Sequence, residues 1–321
     1  MTSSLPLEVR EAFERFITTE FVTVDRNRQP IAWPVTPYYR QGAATIDVTT
    51  GVGYPKKAED ARRNPQVALL FSDPLGSGIE SGIRILVQGT AEVDDADLAA
   101  NRERYRRETV EKLPEAKKLM PPRALDGLFG WYFERLYVKV RPERVFVWPD
   151  GDPANEPELL DSHLEEVRSG HSEEPPEPPP AAGGGGVAWD DRIEELGRRH
   201  ETAVLAWLAP DGFPLAARVP VESRPDQGRV LIGTEPAGFP LREGRVCLTA
   251  HAHGERFEWQ ENFQVRGDLM REGNRWSLLP RKLVGGFEIP ESPLANLRRN
   301  LGKSIRYYRN HRRIVRQRQR R

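Results

Sequence analysis

The sequence predicts a mainly β protein of the α+β type, in which two antiparallel barrels follow one another along the chain. Peripheral helices and a basic C-terminal helix complete the prediction. Three observations lead to it. Short segments rich in β-branched and aromatic residues alternate with polar turns. An acidic stretch rich in proline and glycine divides the 321 residues. After this stretch, the order of strands and turns is repeated.

The first half contains six or seven short predicted strands and few helices, which is typical of a closed or partly closed antiparallel barrel. Strands are expected at 20–25, 30–39, 43–50, 66–72 and 84–93, with a closing hairpin formed by 136–140 and 144–148. Helices are expected at 6–16, 57–63 and 95–111.

The domain boundaries follow from composition. Between Asp152 and Pro180 there are nine acidic residues against Arg168 alone, and the segment ends in SEEPPEPPPAAGGGG. Such a segment buries too little apolar surface to offset its chain entropy, so we expect a disordered or semi-extended linker. The alternative is an ordered loop within one large domain. The predicted division is a barrel at 1–150, the linker at 151–187, a second barrel at 188–291 and a tail at 292–321.

The net charge of zero, from 48 basic and 48 acidic residues, hides an uneven distribution. The tail has eleven Lys or Arg residues and no acidic residue, so residues 1–291 carry a net charge of −11. The balance argues against a nucleic-acid binder that is basic throughout. The tail combines an apolar helical face with arginine, and an anionic partner is a candidate for it. It could dock on the barrels, bind anionic lipid, bind nucleic acid, or pair with the acidic linker.

Several classes of protein are excluded by what the sequence lacks. No apolar run reaches the ~18 residues of a membrane-spanning helix, and the N-terminus lacks the apolar region of a signal peptide. The single cysteine, Cys247, excludes an intramolecular disulfide framework and a cysteine-based zinc site. These features predict a cytoplasmic protein with no transmembrane segment.

Four segments of the second half parallel four segments of the first half in the same order, which favours duplication over coincidence. The pairs are 200–221 with 20–39, 228–238 with 43–53, 243–254 with 64–74, and 262–273 with 84–95. The last pair shares a Gln-Gly or Arg-Gly step, at Gly89 and Gly267.

The two copies differ between their third and fourth strands. The first copy reads TTGVGYPKKAEDARRNPQ, and the second reads TEPAGFPLREGR, which is too short for a full helix. Thr49, Thr50 and Gly51 offer hydroxyl and backbone N–H groups, and Lys56 and Lys57 follow at a helix N-terminus, where negative charge is favoured. This loop is a candidate phosphate cradle, although lysines at helix starts are also common as solvated residues. It is not a Walker loop, because the GxxxxGK[ST] spacing is absent.

The order of these motifs resembles the split β-barrel superfamily, which contains the pyridoxamine 5′-phosphate oxidase-like flavin proteins and the flavin/deazaflavin oxidoreductases. The resemblance depends on Pro34-Val35, TIDVTTG, Lys57 ahead of NPQVAL, and VQGTAEV. It covers most of 15–150, and a degenerate version covers roughly 198–290. It implies two tandem split β-barrels of the FMN-binding type.

The resemblance also implies a cofactor and the residues that bind it. The expected cofactor is FMN, with 8-hydroxy-5-deazaflavin as the alternative and heme as a less expected one, bound at a dimer interface. By position, the phosphate would be held by Thr49, Thr50, Gly51, Lys56 and Lys57, and the ring would be lined by Val35, Thr36 and Gln88. The second barrel would complete an intramolecular pseudo-dimer or extend a homodimer.

The predicted function is that of an oxidoreductase acting on a small organic substrate. A flavin carries its own redox chemistry, so the chain needs no nucleophile or acid–base dyad, and none is evident. The alternative is a non-catalytic flavin- or heme-binding protein, such as a redox sensor, with a basic tail. His251 and His253 alternate along a strand and could ligate a metal or heme, but a surface role is favoured and no metal site is predicted.

Overall fold

The computed structural model describes residues 5–120, 123, 130, 132–160, 189–286, 307 and 311. Most of the predicted linker and nearly all of the predicted tail lie outside the described residues, so the division into four segments stays a prediction. The mainly β fold class is confirmed by two antiparallel sheets, one in each half of the chain.

The helices are α1 (Leu7–Arg15), α2 (Lys56–Arg63), α3 (Leu98–Lys112) and the short α4 (Asp191–Glu194). The strands of the first half are β1 (Thr19–Val24), β2 (Pro30–Val35), β3 (Ile46–Gly51), β4 (Gln66–Phe71), β5 (Arg84–Asp94), β6 (Arg135–Trp148) and β7 (Glu158–Leu159). The strands of the second half are β8 (Thr202–Leu208), β9 (Pro214–Arg224), β10 (Arg229–Ile232), β11 (Gly244–His253), β12 (Gln260–Glu272) and β13 (Arg275–Gly285).

Both halves pair their strands in the same order. The first half has the order β2–β1–β4–β5–β6–β3, with β7 added to β6, and the second has the matching order β9–β8–β11–β12–β13–β10. The second half closes into a barrel because β9 also pairs with β10. In the first half, the segment after β2 meets β3 only at the isolated bridge between Tyr38 and Asp47. The first barrel is therefore only partly closed, and we call the gap between β2 and β3 the open seam.

A β-bulge occurs at the same place in each half. The register shifts between Gln88 and Gly89 in β5, and between Arg266 and Gly267 in β12. A Cβ atom on either glycine would overlap a carbonyl oxygen of the facing strand, that of Arg141 or of Leu279. The glycines that follow Gln and Arg in the two parallel segments are thus explained by the close approach of the neighbouring backbone.

One predicted element is wrong. The hairpin expected from 136–140 and 144–148 is a single 14-residue strand, β6, which continues through the RPE sequence. Pro142 lies opposite Gly89, at the bulge where the ladder is already interrupted. A proline is tolerated at such a position because no regular ladder hydrogen bond is required of it, so the strand continues instead of turning back.

Two apolar cores organise the molecule, and one of them joins the halves. The first core lies inside the first barrel, where Phe21 of β1 and Leu69 of β4 pack with helix α1. The second core fills the second barrel and also includes Val22 of β1 and Ala68 and Leu70 of β4. Strands β1 and β4 are therefore covered on both faces, which explains why all six residues of β1 and the last five of β4 are buried.

Within the part of the chain that the structure describes, no helix combines the length and the apolar character that a membrane span requires.

Candidate functional site

Two cations of the first barrel meet among aromatic rings, beside the loop that the sequence marked as a phosphate cradle. Lys57 lies in the first turn of α2, half-buried, with its Nζ 5.7 Å from the ring centroid of Trp33 and 5.8 Å from that of Tyr54. Arg135 opens β6 and lies opposite Gly51, the last residue of β3. We call Lys57, Arg135 and the rings around them the cationic aromatic cluster.

Arg135 is held in place by tyrosines. Its side chain is nearly inaccessible, since the residue is only 4% exposed. The guanidinium group stacks on Tyr105 and Tyr132, at 4.0 and 4.2 Å from their ring centroids. Nη1 donates a hydrogen bond to the Tyr54 hydroxyl at 2.8 Å, and Nη2 donates one to the Tyr105 hydroxyl at 2.7 Å. Its Nε is buried and has no acceptor among the described residues.

In the described part of the chain, no carboxylate is paired with the cations of the cationic aromatic cluster. Among the described residues, neither Lys57 nor Arg135 forms an ion pair with a carboxylate. By contrast, the nearby Arg104 pairs with both Asp47, at 2.6 Å, and Glu108, at 2.9 Å. Burial, together with repulsion from Arg135, lowers the pKa of Lys57 to about 8. Two neighbouring cations without a paired carboxylate create a positive electrostatic potential. A bound anion would offset the repulsion between them.

The tail contributes to the edge of this cluster through its two described residues. The ring of Tyr307 packs edge-on against Tyr54, with the centroids 5.4 Å apart. His311 Nε2 lies 2.7 Å from Glu134 Oε2, next to Arg135 in the chain. Both described residues of the tail therefore contact the first barrel, while the role of the tail stays a prediction.

The residues predicted to bind the phosphate differ in how they lie relative to the cationic aromatic cluster. Gly51 lies in the ladder opposite Arg135, and Thr49 is half-buried in the same strand. The Thr50 hydroxyl donates to the backbone oxygen of Tyr54 at 2.9 Å, so it is already engaged. Lys56 points away to the carboxylate of Asp60, at 2.7 Å. Lys57 is the predicted residue that reaches the cluster with a free charge.

The predicted ring-lining residues are separated in the structure. Val35 ends β2 and Thr36 follows it, both half-buried, at the open seam and two or three residues after Trp33. Gln88 lies elsewhere, buried between the two halves. Its Nε2 donates to the carbonyl oxygen of Pro214 at 3.0 Å, and Arg144 Nη1 donates to its Oε1 at 3.2 Å.

Arg135 and Tyr54 are the important residues that sequence reasoning missed. Tyr54 belongs to the quoted loop, and an aromatic residue next to a glycine-rich turn was the available signal. Arg135 carried no local signal, because it is 78 positions from Lys57 and looks like an ordinary charged residue at the start of a strand.

In the corresponding loop of the second barrel, side chains of the protein contact one another. Phe239, which stands where the first copy has Tyr54, packs against Phe146 and Trp148 with centroid distances of 4.9 and 5.7 Å. The Glu235 carboxylate accepts hydrogen bonds from the Leu241 backbone N–H and from Trp276 Nε1, each at 3.0 Å. As the sequence predicted, this loop has no helix. In this loop of the second barrel, a carboxylate and aromatic rings of the protein take the place of the cations found in the first barrel.

His251 and His253 are buried, contrary to the surface role that the sequence favoured. Both project from β11 toward the first barrel. His251 Nε2 lies 2.5 Å from Glu20 Oε1. His253 Nε2 lies 3.3 Å from the Thr18 hydroxyl and 3.7 Å from Asp73 Oδ2. In the described ranges, no three His, Cys, Asp or Glu side chains are grouped so as to hold a metal ion.

Glu20 is the centre of the polar contacts between the barrels, and it is 0% exposed. Its Oε1 accepts a hydrogen bond from Arg218 Nη2 at 3.1 Å, and its Oε2 accepts one from the Ser72 hydroxyl at 2.9 Å. Arg218 Nε donates to that hydroxyl at 2.9 Å. Burial by itself would raise the pKa of Glu20, but the hydrogen bond and charge of His251, with the charge of Arg218, lower it below the usual range.

A separate pocket of about 280 Å3 lies between α1, α3 and the segment joining β2 to β3. Burial lowers the pKa of Lys112, on its wall, to about 7, and Lys112 Nζ donates to the carbonyl oxygen of Pro37 at 2.6 Å. The acidic residues Glu14, Asp47, Glu108 and Glu111 also line this pocket. Its mixed charge makes it a poorer anion site than the cationic aromatic cluster.

Comparisons with known proteins give structural neighbours only. No family model and no curated protein matches the chain. Solved structures similar to it include a protein from Listeria innocua named for pyridoxamine 5′-phosphate oxidase (17% identity, 44% of this chain and 96% of that one, TM-score 0.32). Others are the heme storage protein HutZ from Vibrio cholerae (16%, 45% and 93%, 0.31) and an F420 reductase (17%, 44% and 98%, 0.32). These likenesses are low in identity and in TM-score, so the roles of the residues rest on this chain's own geometry.

We expect Glu20→Gln to reduce both the stability and its dependence on pH. The pKa of Glu20 is lower in the folded than in the unfolded chain, so the carboxylate stabilises the fold above the ordinary value of 4.5. This contribution is lost as the pH falls through the lowered folded-state pKa. The variant should lose roughly 1–3 kcal/mol of unfolding free energy at pH 7. Urea denaturation between pH 7 and pH 3 measures both effects.

The matched control is Glu222→Gln, because Glu222 forms an exposed pair with Arg224. Its stability should change by less than about 0.5 kcal/mol. Wild-type pH dependence retained by Glu20→Gln would contradict the assignment.

Proposed function

We propose that the first barrel binds a phosphate-bearing, flavin-type cofactor, and that the protein is an oxidoreductase acting on a small organic substrate. FMN is the proposed cofactor, with 8-hydroxy-5-deazaflavin as the alternative. The phosphate would be bound by Lys57 and Arg135. The observation that carries the proposal is the absence, among the described residues, of a carboxylate paired with either of these neighbouring cations.

Loss of water around Lys57 and Arg135 favours the binding of an anion. Arg135 is fully enclosed, and Lys57 is enclosed enough to depress its pKa to about 8. Holding a buried and a half-buried cation together without an anion costs stability. A dianionic phosphate would offset this cost through charge-assisted hydrogen bonds, which are about twice as strong as neutral ones. The buried Nε of Arg135, for which the described residues offer no acceptor, is a donor of the required kind.

The residues present fit such a group in part. Lys57 Nζ and Arg135 Nε offer donors to a phosphate, and the rings of Trp33 and Tyr54 offer apolar surfaces to a planar ring system. The open seam leaves backbone groups near Val35 and Thr36 outside any β-ladder with β3, so a ligand could use them. Lys56 and Gln88, engaged elsewhere, would have to exchange partners before taking the roles expected of them.

A flavin supplies the redox chemistry when it is bound, and the chain's own residues bind and orient it. Lys57 and Arg135 would fix the phosphate end. Trp33 and Tyr54 would exclude water from this end, because their rings surround the Lys57 ammonium group. Heme fits less well, because the two neighbouring histidines, His251 and His253, already contact acidic or hydroxyl groups.

Substituting either cation should weaken cofactor binding. Lys57→Met and Arg135→Met should each raise the Kd for FMN by roughly 10- to 150-fold, which is about 1.5–3 kcal/mol per charge-assisted contact. Fluorescence titration of FMN with the purified protein gives the Kd. The control is Lys56→Met, whose charge is engaged by Asp60 and which should change the Kd less than threefold. An equal loss in the control would mean that the phosphate site is misplaced.

The affinity should also depend on pH in a defined direction. Lys57 has a pKa lowered to about 8, so its positive charge is lost as the pH rises from 7 to about 9.5, and the FMN affinity should fall over this range. Lys57→Arg keeps the charge throughout, so its affinity should stay nearly constant. Isothermal titration calorimetry at each pH distinguishes the two. The same decline in Lys57→Arg would exclude Lys57 as its cause.

Spectroscopy followed by turnover tests the function itself. A flavin absorption band in the purified protein, or after addition of FMN or deazaflavin, is the expected result. Oxidation of a reduced nicotinamide or a reduced deazaflavin by the loaded protein, with an added acceptor, is then expected of an oxidoreductase. Binding without turnover would favour a non-catalytic store or redox sensor. A colourless protein that binds neither cofactor would contradict the proposal.

A further inference from the structure

The interface between the two barrels has acidic residues on one side and basic residues on the other. At its centre the first barrel contributes the acidic residues Glu20 and Asp73, and the second barrel contributes Arg218, His251 and His253. All five side chains face the other barrel. At the rim, Arg144 of the first barrel pairs with Asp211 of the second.

Strand register shows that equivalent positions of the two barrels carry different residues. Glu20 of β1 lies opposite Pro34 of β2 and Leu70 of β4. The matching position in β8 is Val204, which lies opposite Arg218 of β9 and Thr249 of β11. Val204 therefore replaces Glu20, and Arg218 replaces Pro34. Leu70 and Thr249 are thus equivalent positions. Two residues further along each strand stand Ser72 in the first barrel and His251 in the second.

Pairing of two identical barrels through this face would separate the charges from their partners. Two copies of the first barrel would bring Pro34 and Ser72, with no cation, against a buried Glu20. Two copies of the second barrel would bring Val204 and His251, with no carboxylate, against a buried Arg218. A buried charge without its partner is strongly destabilising, so only the unlike pair satisfies both sides.

We propose that this face is an interface exclusive to the two barrels of one chain, and that it does not pair with a second copy of the chain. The partner of the Glu20 face is the Arg218 face of the same molecule. The apolar core supports this assignment, because Val22, Ala68 and Leu70 are already buried against the second barrel. The pairing depends on no cofactor, so it stands or fails separately from the proposed function.

Cross-linking of the full chain identifies the partner. Arg245 of the second barrel donates to the carbonyl oxygen of Asn27 in the first, at 2.8 Å, at the edge of the interface. A chain carrying both Asn27→Cys and Arg245→Cys should form a cross-linked monomer with a short bismaleimide, and Cys247, which is buried, stays unreactive. Co-expressed single-cysteine variants should give no cross-linked dimer. A dimer from that mixture, or no cross-link in the double variant, would overturn the proposal.

Substitution tests the role of charge. Arg218→Met leaves Glu20 buried without its guanidinium partner and should lower the midpoint of thermal unfolding more than Arg224→Met, an exposed arginine of the same strand. The double variant Glu20→Met with Arg218→Met removes both charges and should recover part of the lost midpoint. If Arg218→Met alone fails to fold, folding of the double variant shows the same recovery. Equal midpoints for the two single variants, or no recovery in the double variant, would contradict the charge assignment.

Discussion

The burial of Glu20 against Arg218 and His251 is the interaction on which the arrangement of the two barrels depends. A carboxylate near the start of β1 can be buried only if the second barrel brings a cation and a hydrogen-bonding partner to it. This requirement fixes which strands face each other and in what orientation. It also explains why β1 and β4 lack the alternation of apolar and polar residues that is typical of a half-exposed strand. Their second face belongs to a core shared with the other barrel.

The two buried arginines Arg218 and Arg135 have different surroundings. Arg218 is neutralised by a carboxylate from the other barrel, and its neighbours complete the hydrogen bonds. Arg135 is enclosed by tyrosine rings and hydroxyls, which shield it without neutralising it. The first arrangement stabilises packing, whereas the second retains a positive potential beside Lys57. This contrast separates a structural polar cluster from a candidate binding site more clearly than sequence position does.

Much of the fold could be predicted from the sequence, because strands and turns leave local signals. The segments that repeat in sequence form strands that pair in matching orders, and the glycines of the Gln-Gly and Arg-Gly steps coincide with the two bulges. The hairpin at RPE was wrong because a proline opposite a bulge has the same local sequence as a proline in a turn.

The candidate site was harder to predict, for two physical reasons. Lys56 and Lys57 are adjacent in the sequence but differ by about 100° around the helix, and the eight residues of α2 are too few to show which of them faces inward. In β5, burial of five consecutive residues removes the alternation that would show which way Gln88 points. Arg135 reaches Lys57 only through the pairing of β6 with β3, which no local pattern reveals.

The unlike loops of the two barrels have an evolutionary consequence. In an assembly of identical subunits, every substitution appears in each copy, so a change that fills one pocket also fills its symmetry mate. With two barrels on one chain, each substitution occurs once. Phe239 and Glu235 can therefore close the loop of the second barrel while Tyr54 and Lys57 keep the first one cationic. A chain of this kind can specialise one half for ligand chemistry and the other for support, without compromise between the two.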